Sequence, residues 1–546
     1  MLLAFAIAGP ALASGWPTGG HDTRRTGQSD VSGPQDIAWV HDRVVSEVTV
    51  FNAPPAVTDD GQMVWGTWGV VQSTEASSDP RTWDKLDGTV LSLDSHLDTT
   101  WDASPALDVN PFCYDYDGRT DLTWCPDGGQ VSYHNGIVDG TPTLTGDGAA
   151  WVARGDGRLY EVDLADGTAE RVLTTWNPED LDDPDGGGGL LASPLALPDG
   201  GVLVASVAAG PYETNAVYAV GRGGGVRWRL PTDSAGFDTP FWAAAALSPD
   251  GGTAYVAGWA WPGFNDADED LALDGLVMAL DLGVDDDADD SDRIAWQAVP
   301  MSGDGEPLYV RTLSVGADGT LYLGGLAGEP ERPWVMALDA NGDPLWTAAL
   351  DPSDTEVVRG LALHEDGGAT VRVLVTTGQR ASQEREGRLH ALDPTSGAVI
   401  WTFDPEENGG RGAPSGIAID ADGTAWFSTH GAERKGSVFA VDADGQELWH
   451  ACSEEYEGAH PILTGAGDVV VGEADWLECA LTAPLSNTCR PRATERAVRI
   501  WYADPDTAPG DARIAWQCCR CATGGGPATV LPWLASLLLV RRRRLR

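Results

Sequence analysis

One ending recurs along this chain and limits what it can fold into: an Asp, then a turn glycine, then a tryptophan four residues beyond that glycine. The clearest copies are ALDANGDPLW (337–346), ALDPTSGAVIW (391–401) and AVDADGQELW (440–449), where Gly342, Gly397 and Gly445 precede Trp346, Trp401 and Trp449. Upstream of each ending stands an Asp-Gly pair followed by a short β-prone run. The pairs are Asp60-Gly61, Asp147-Gly148, Asp199-Gly200, Asp250-Gly251, Asp318-Gly319, Asp366-Gly367 and Asp422-Gly423, and the series degenerates to Gly467-Asp468. Asp-Gly suits a tight hairpin, because Gly accepts positive φ and Asp tolerates the neighbouring position. No long amphipathic helix interrupts the pattern. Repeated units of this kind predict an all-β fold, a β-propeller of four-stranded antiparallel blades. Counting every copy between 55 and 517 gives eight blades; seven follow if the irregular last copy is not a blade. The run IAWVHD (37–42) precedes the first copy and mimics IAWQ (514–517), so it is placed to complete the last blade and cover an open sheet edge.

The ending A-L-D-P-T-S-G-A-V-I-W resembles the tryptophan-docking motif of the pyrroloquinoline-quinone-type propellers. The run WPTGGHDTRRTGQS (16–29) resembles the segment that precedes the first blade in that family, and the resemblance spans residues 16–517. Trp101, Trp228, Trp296, Trp346, Trp401, Trp449 and Trp516 fit the docking position, whereas the second copy has Arg171 there. An indole at a strand end covers a large apolar area between blades and has one N–H to place, so these tryptophans are read as structural. The quinone-using members of the family carry calcium ligands and an adjacent cysteine pair beside the cofactor. Here the adjacent pair, Cys518-Cys519, follows the last Trp and leads into the tail. The resemblance therefore implies the fold without a quinone site, and pyrroloquinoline quinone is not an expected cofactor.

Both ends read as targeting segments. Residues 1–13 form an apolar run closing on Ala13, the pattern of a signal peptide, with no basic residue ahead of it. Residues 14–36 are a leading segment, 37–517 the propeller, and 518–546 a Cys/Gly-rich tail. Within the tail, Ala528–Val540 is apolar over 13 residues, short of the roughly 20 a spanning helix needs. Cysteines, glycines, a short apolar stretch and a terminal Arg cluster resemble the C-terminal sorting tags of myxobacterial type. That resemblance implies processing near Cys518, Cys519 or Cys521 and display at the cell surface; a plain membrane anchor is the alternative. In an exported chain, eight cysteines favour disulfides. Cys113 and Cys125 bracket one loop and are expected to pair, and Cys452, Cys479 and Cys489 share the last two repeats. Against 34 basic residues stand 83 acidic ones, a formal charge of −49. Such an excess repels phosphate backbones and excludes nucleic acid as a partner.

Topology sorts the loops. In an up-down-up-down sheet the first and third turns share one face, and the second turns and interblade links share the other. The Asp-Gly and Gly…Trp turns are first and third turns and are mostly tight. Insertions fall at 69–87, 207–215, 258–274, 379–387 and 474–495, with long links at 102–139 and 175–190, so they crowd the second face. Loops on a rigid scaffold carry function. Trp83, Trp259, Trp261 and Phe264 lie in or beside these insertions and could stack on sugar rings or anchor a protein; packing of the loops on themselves is the competing reading. Asp115, Asp117 and Asp121, around Gly118, resemble part of a calcium loop without its distant Glu. The run DDDADDSD (285–292) falls in an elongated third turn and reads as solvated charge. No G-x-S-x-G elbow, H-E-x-x-H helix or phosphate-cradling loop is present. The expectation is a monomeric, non-enzymatic, surface-displayed propeller that binds a protein or glycan. The alternatives are a quinoprotein dehydrogenase with diverged ligands and an envelope assembly scaffold.

Overall fold

Each Asp-Gly pair opens a hairpin and each Gly…Trp turn opens another, so every repeat folds into an antiparallel meander. The result is an eight-bladed propeller. The structure, a computed structural model, describes residues 16–514 apart from several connecting segments, the longest being 74–82, 104–137, 176–188, 207–215, 232–244, 260–274 and 473–495. Blades 1 to 7 span 56–102, 143–174, 195–231, 246–298, 309–349, 356–403 and 413–452, each with its strands in chain order from the axis outward. Blade 5 is the pattern in its plainest form. Its strands are Tyr309–Val315, Leu321–Ala327, Arg332–Leu338 and Pro344–Ala349. The second strand is buried along its whole length, the third is buried but for Arg332, and the fourth is largely open. Blades on both sides cover the middle strands, so near-continuous apolar runs replace the alternation of a one-sided sheet.

Blade 8 closes the ring with chain from both ends. Its inner three strands are Ile462–Leu463, Val469–Gly472 and Arg496–Tyr502, and the fourth is Trp39–Ser46, paired antiparallel to Arg496–Tyr502. The expectation for 37–42 holds over its described part, 39–42, with an addition. Arg513–Ile514 pairs on the outer side of Trp39–Val40 as a fifth strand. Trp516 itself lies outside the described residues.

Residues 16–35 were legible only as a leading segment; in the structure they circle the central channel. Each innermost strand has one edge with no neighbour in its own sheet, and its backbone N–H groups need acceptors. The leading segment supplies them. Val57 of blade 1 exchanges bonds with Trp16, and Leu144 of blade 2 donates to Pro17 O. Leu247, Val315, Leu363 and Ile419 of blades 4 to 7 donate in turn to the carbonyls of Thr23, Arg24, Thr26 and Gly27. Blade 3 is reached through Arg25, whose buried guanidinium donates to Ser193 O, and also to Ala245 O and Gly19 O. Arg24 adds a bidentate pair with Glu365 at 2.8 Å. Bending the chain to this circle takes left-handed backbone at Gly20, His21, Arg25 and Gly27. The bonded positions all lie just before the first turn of their blades, so this segment closes the channel at the tight-turn face.

Candidate functional site

The outer wall is built by one repeated joint. In blade 5, Asp339 accepts bonds from the backbone N–H of Asn341 and Asp343, which fixes its own turn. Those bonds, the one from Asp343 first, hold its carboxyl below the usual carboxylate range. The turn exposes Ala340 O, which accepts the Trp296 indole N–H from blade 4 at 2.9 Å. Gly342 then has to be glycine twice over: its φ is +85°, and a Cβ there would come within 2.7 Å of the Trp296 ring. The same joint runs from Trp101 to Leu164 O, from Trp346 to Pro394 O and from Trp401 to Ala443 O, with Gly167, Gly397 and Gly445 beneath the rings. Each indole bond is worth about 1 kcal/mol net, and the covered ring area adds to it.

What turns the indole towards its neighbour is a β-bulge that the sequence did not reveal. Ala337 pairs with Trp346 but Leu338 pairs with Pro344, leaving Leu345 unopposed. Blades 1, 3, 4, 6 and 7 repeat this, with Thr100, Arg227, Ala295, Ile400 and Leu448 unopposed. An extra residue bends the outer strand and re-aims the side chain that follows. In blade 2 the irregularity moves, opposite Leu159/Tyr160, and Val172 rather than Arg171 meets the next blade, at Gly224. Trp228 has a different cover: Arg293 lies 4.8 Å over its ring and donates to Val284 O and Asp285 O. The acidic run 285–292 is thus mostly exposed but pinned, since Asp286 also forms a bidentate pair with Arg227.

At the closure the joint changes partners. Trp449 donates to Pro34 O of the leading segment at 2.9 Å. From blade 8 back to blade 1, the Tyr502 hydroxyl donates to Ser95 O at 3.0 Å, and Ser95 follows Asp94 just as Leu164 follows Asp163. A phenol does there what an indole does elsewhere.

Away from the closed end of the channel, the inner strands carry cationic groups. Arg311 and Arg359 are each the unopposed residue of a second bulge, on the innermost strands of blades 5 and 6. Four residues separate them from Val315 and Leu363, about 13 Å along a strand. His460 leads into the inner strand of blade 8. A Cβ on Gly416 would collide with its ring, and Gly360 abuts Gly416 in turn. The imidazole is exposed to solvent yet packed against Gly416, and partial desolvation there, aided by the charge of Arg359, lowers its pKa to about 4. Near neutral pH the Arg359 guanidinium therefore stands beside an uncharged imidazole. Calcium with a quinone needs convergent oxygen ligands. Among the described residues no three His, Cys, Asp or Glu side chains come together to hold a metal.

Of the residues singled out from the sequence, Trp83 lies on the strand Trp83–Lys85, opposite Ser73 in a hairpin set between the second and third strands of blade 1. Trp259 ends the strand Thr253–Trp259, opposite Gly275. Trp261, Phe264, Asp115, Asp117, Asp121, Cys113, Cys125, Ala13, Cys518, Cys519 and Cys521 lie outside the described residues.

The chain has the fold of the pyrroloquinoline-quinone-like β-propellers. Residues 331–480 match the family described as "Outer membrane protein assembly factor BamB". Over 135 residues the chain is 30% identical to the protein of that name from Nitrosomonas eutropha, a match covering 24% of this chain and 27% of the relative. Among solved structures, the quinohemoprotein alcohol dehydrogenase from Comamonas testosteroni superposes with a TM-score of 0.55 at 15% identity, covering 91% of this chain and 81% of that one. A europium-containing methanol dehydrogenase gives 0.56 at 13% identity, over 89% and 97%. At such identities the likeness is one of fold.

Proposed function

We propose that the protein is an exported, surface-displayed propeller without catalytic activity, which binds a protein or glycan through the loop face opposite its closed end. The observation that carries this reading is the asymmetry of the connections. First turns such as 316–320 and 420–424 are tight, and the leading segment lies against that face. By contrast, the connections between the second and third strands at 206–215, 260–274, 380–388 and 473–495 are long. Long loops on a rigid frame are where binding residues collect. On this reading Trp83, Trp259, Trp261 and Phe264 would supply aromatic anchors. Asp115, Asp117 and Asp121 would hold a calcium ion that orders the link between blades 1 and 2. Incubating the purified protein with glycan arrays and with surface-protein arrays should return reproducible partners, weakened by replacing Trp259 and Trp261; no partner on either array would overturn the reading.

A second reading is favoured by the match over 331–480: a scaffold in envelope assembly. Co-purification with outer-membrane assembly complexes, in place of a surface ligand, would select it. Fold likeness alone supports a quinoprotein dehydrogenase. Addition of pyrroloquinoline quinone and calcium, followed by dye reduction with alcohols and aldose sugars, tests that activity directly.

A further inference from the structure

The bulged position ahead of the indole points outward for a geometric reason, so the fold leaves its identity free. Blades 1, 3 and 4 place Thr100, Arg227 and Ala295 there. Blades 5, 6 and 7 place Leu345, Ile400 and Leu448, which are 54%, 51% and 37% exposed. Val399, beside Ile400, is exposed as well. Polar and small residues meet the same backbone requirement on the other blades, so three large apolar side chains on consecutive outer strands are not explained by folding. Val399 and Ile400 are adjacent, and Leu345 and Leu448 stand at the same position on the neighbouring blades; exposed apolar surface of this kind is a candidate contact site.

Beside them lies a cavity of about 400 Å3 between blades 6 and 7, lined by Arg388, Thr402, Asp404, Glu407, Gln446 and Glu447 among others. Thr402 is two residues along the strand from Ile400, and Glu447 adjoins Leu448. Three carboxylates face one guanidinium; Arg388 is paired with Asp404 at 3.5 Å, and Glu447 also meets His450 Nδ1 at 2.8 Å. The lining is therefore net acidic. Since no three such groups converge on a metal among the described residues, its complement is an organic cation.

We propose that the flank of blades 5 to 7 docks a segment of a partner protein in which Arg or Lys alternates with apolar residues. The basic head enters the cavity opposite Asp404, Glu407 and Glu447, and the apolar neighbours cover Ile400, Leu448 and Leu345. Charge complementarity selects the sequence of the partner. The bulges interrupt the outer hydrogen-bonding edge, so the segment is held by side chains and not by strand addition. This surface is on the side of the ring, separate from the loop face, and does not rest on the reading given above.

Three labelled peptides test it against the full chain: one of alternating Leu and Arg, its Leu/Glu counterpart and its Ser/Arg counterpart. The Leu/Arg peptide should bind, the Leu/Glu peptide should not, and the Ser/Arg peptide should bind about tenfold more weakly or worse. The double variant Ile400→Asp, Leu448→Asp should weaken the Leu/Arg peptide by about tenfold. Because that variant adds negative charge, general attraction to an acidic surface would instead strengthen binding. Glu407→Lys should weaken it too. Equal binding to wild type and double variant, equal binding of the Ser/Arg peptide, or no binding of any peptide would each overturn the proposal. If the Asp variant fails to fold, Ile400→Ser with Leu448→Ser gives the same comparison.

Discussion

The joints within blades 4 to 7 and the joints at the closure perform one task with different chemistry. Between blades 4 and 7, neighbouring repeats are consecutive in sequence, and a local phrase of ten or eleven residues supplies Asp, carbonyl, glycine and indole together. At the closure the partners are far apart in the chain: Trp449 meets Pro34, and Tyr502 meets Ser95. In each contact only one partner, Trp449 or Ser95, belongs to the repeat. The comparison teaches that periodicity builds the wall of the ring, while residues 16–46, which stand ahead of the first full repeat, make it a closed object. A repeat array stacks without limit unless its ends are capped; here one chain terminus supplies the cap.

Substitutions can sharpen that contrast, and the largest effect belongs to the aperiodic part. Arg25 is fully buried, and burial lowers its pKa to about 10, leaving it charged at neutral pH. Its guanidinium ties Gly19, Ser193 and Ala245 together. Arg25→Ala leaves three carbonyls without that donor and should lower unfolding free energy by about 3–4 kcal/mol, read from urea midpoints. An Arg25→Ala protein as stable as wild type would mean that the leading segment merely lies on the ring. Within the periodic wall, Gly342→Ala forces a Cβ against Trp296 at positive φ and should cost about 2–3 kcal/mol. The same change at Gly305, also at positive φ but with open space around it, should cost less. At the closing joint, Tyr502→Phe removes one hydroxyl bond and should cost about 1 kcal/mol. No loss at Tyr502 would show that the last joint is held by the strand pairing alone.

His460 gives a comparison by pH. Its folded pKa, about 4, lies below the unfolded value near 6.5. The folded ring therefore resists protonation, so the contribution of this group is fully present above pH 6.5 and declines as pH falls towards 4. His460→Gln should flatten the dependence of stability on pH within that window relative to wild type, in parallel urea titrations. Unchanged slopes would place the imidazole in open solvent.

The wall was legible because its chemistry is local. Asp339, Gly342 and Trp346 fall in one phrase, and their spacing alone indicates a turn with a buried ring beside it. The closing strand was legible because 37–42 copies the outer-strand pattern. The bulge at Leu345 was not, because it exists only as a mismatch between two strands, and register is not written in either one. Val172 was missed for the same reason: aligning the repeats selects Arg171, while the shifted bulge presents its neighbour. The path of residues 16–35 was invisible because it is set by backbone carbonyls, which every residue has. The cationic groups at the channel were hidden likewise, since Arg311 and Arg359 owe their position to bulges.

Hydrogen exchange monitored by mass spectrometry over residues 16–46 tests the closure most directly. If the leading segment and the strand Trp39–Ser46 are integral to the ring, their amides should exchange as slowly as those of Leu321–Ala327 in the middle of blade 5, and should lose protection together with blade 8 in rising urea. Fast exchange of 16–46 beside protected blades would contradict the account, because it would leave the ring standing without the segment said to close it.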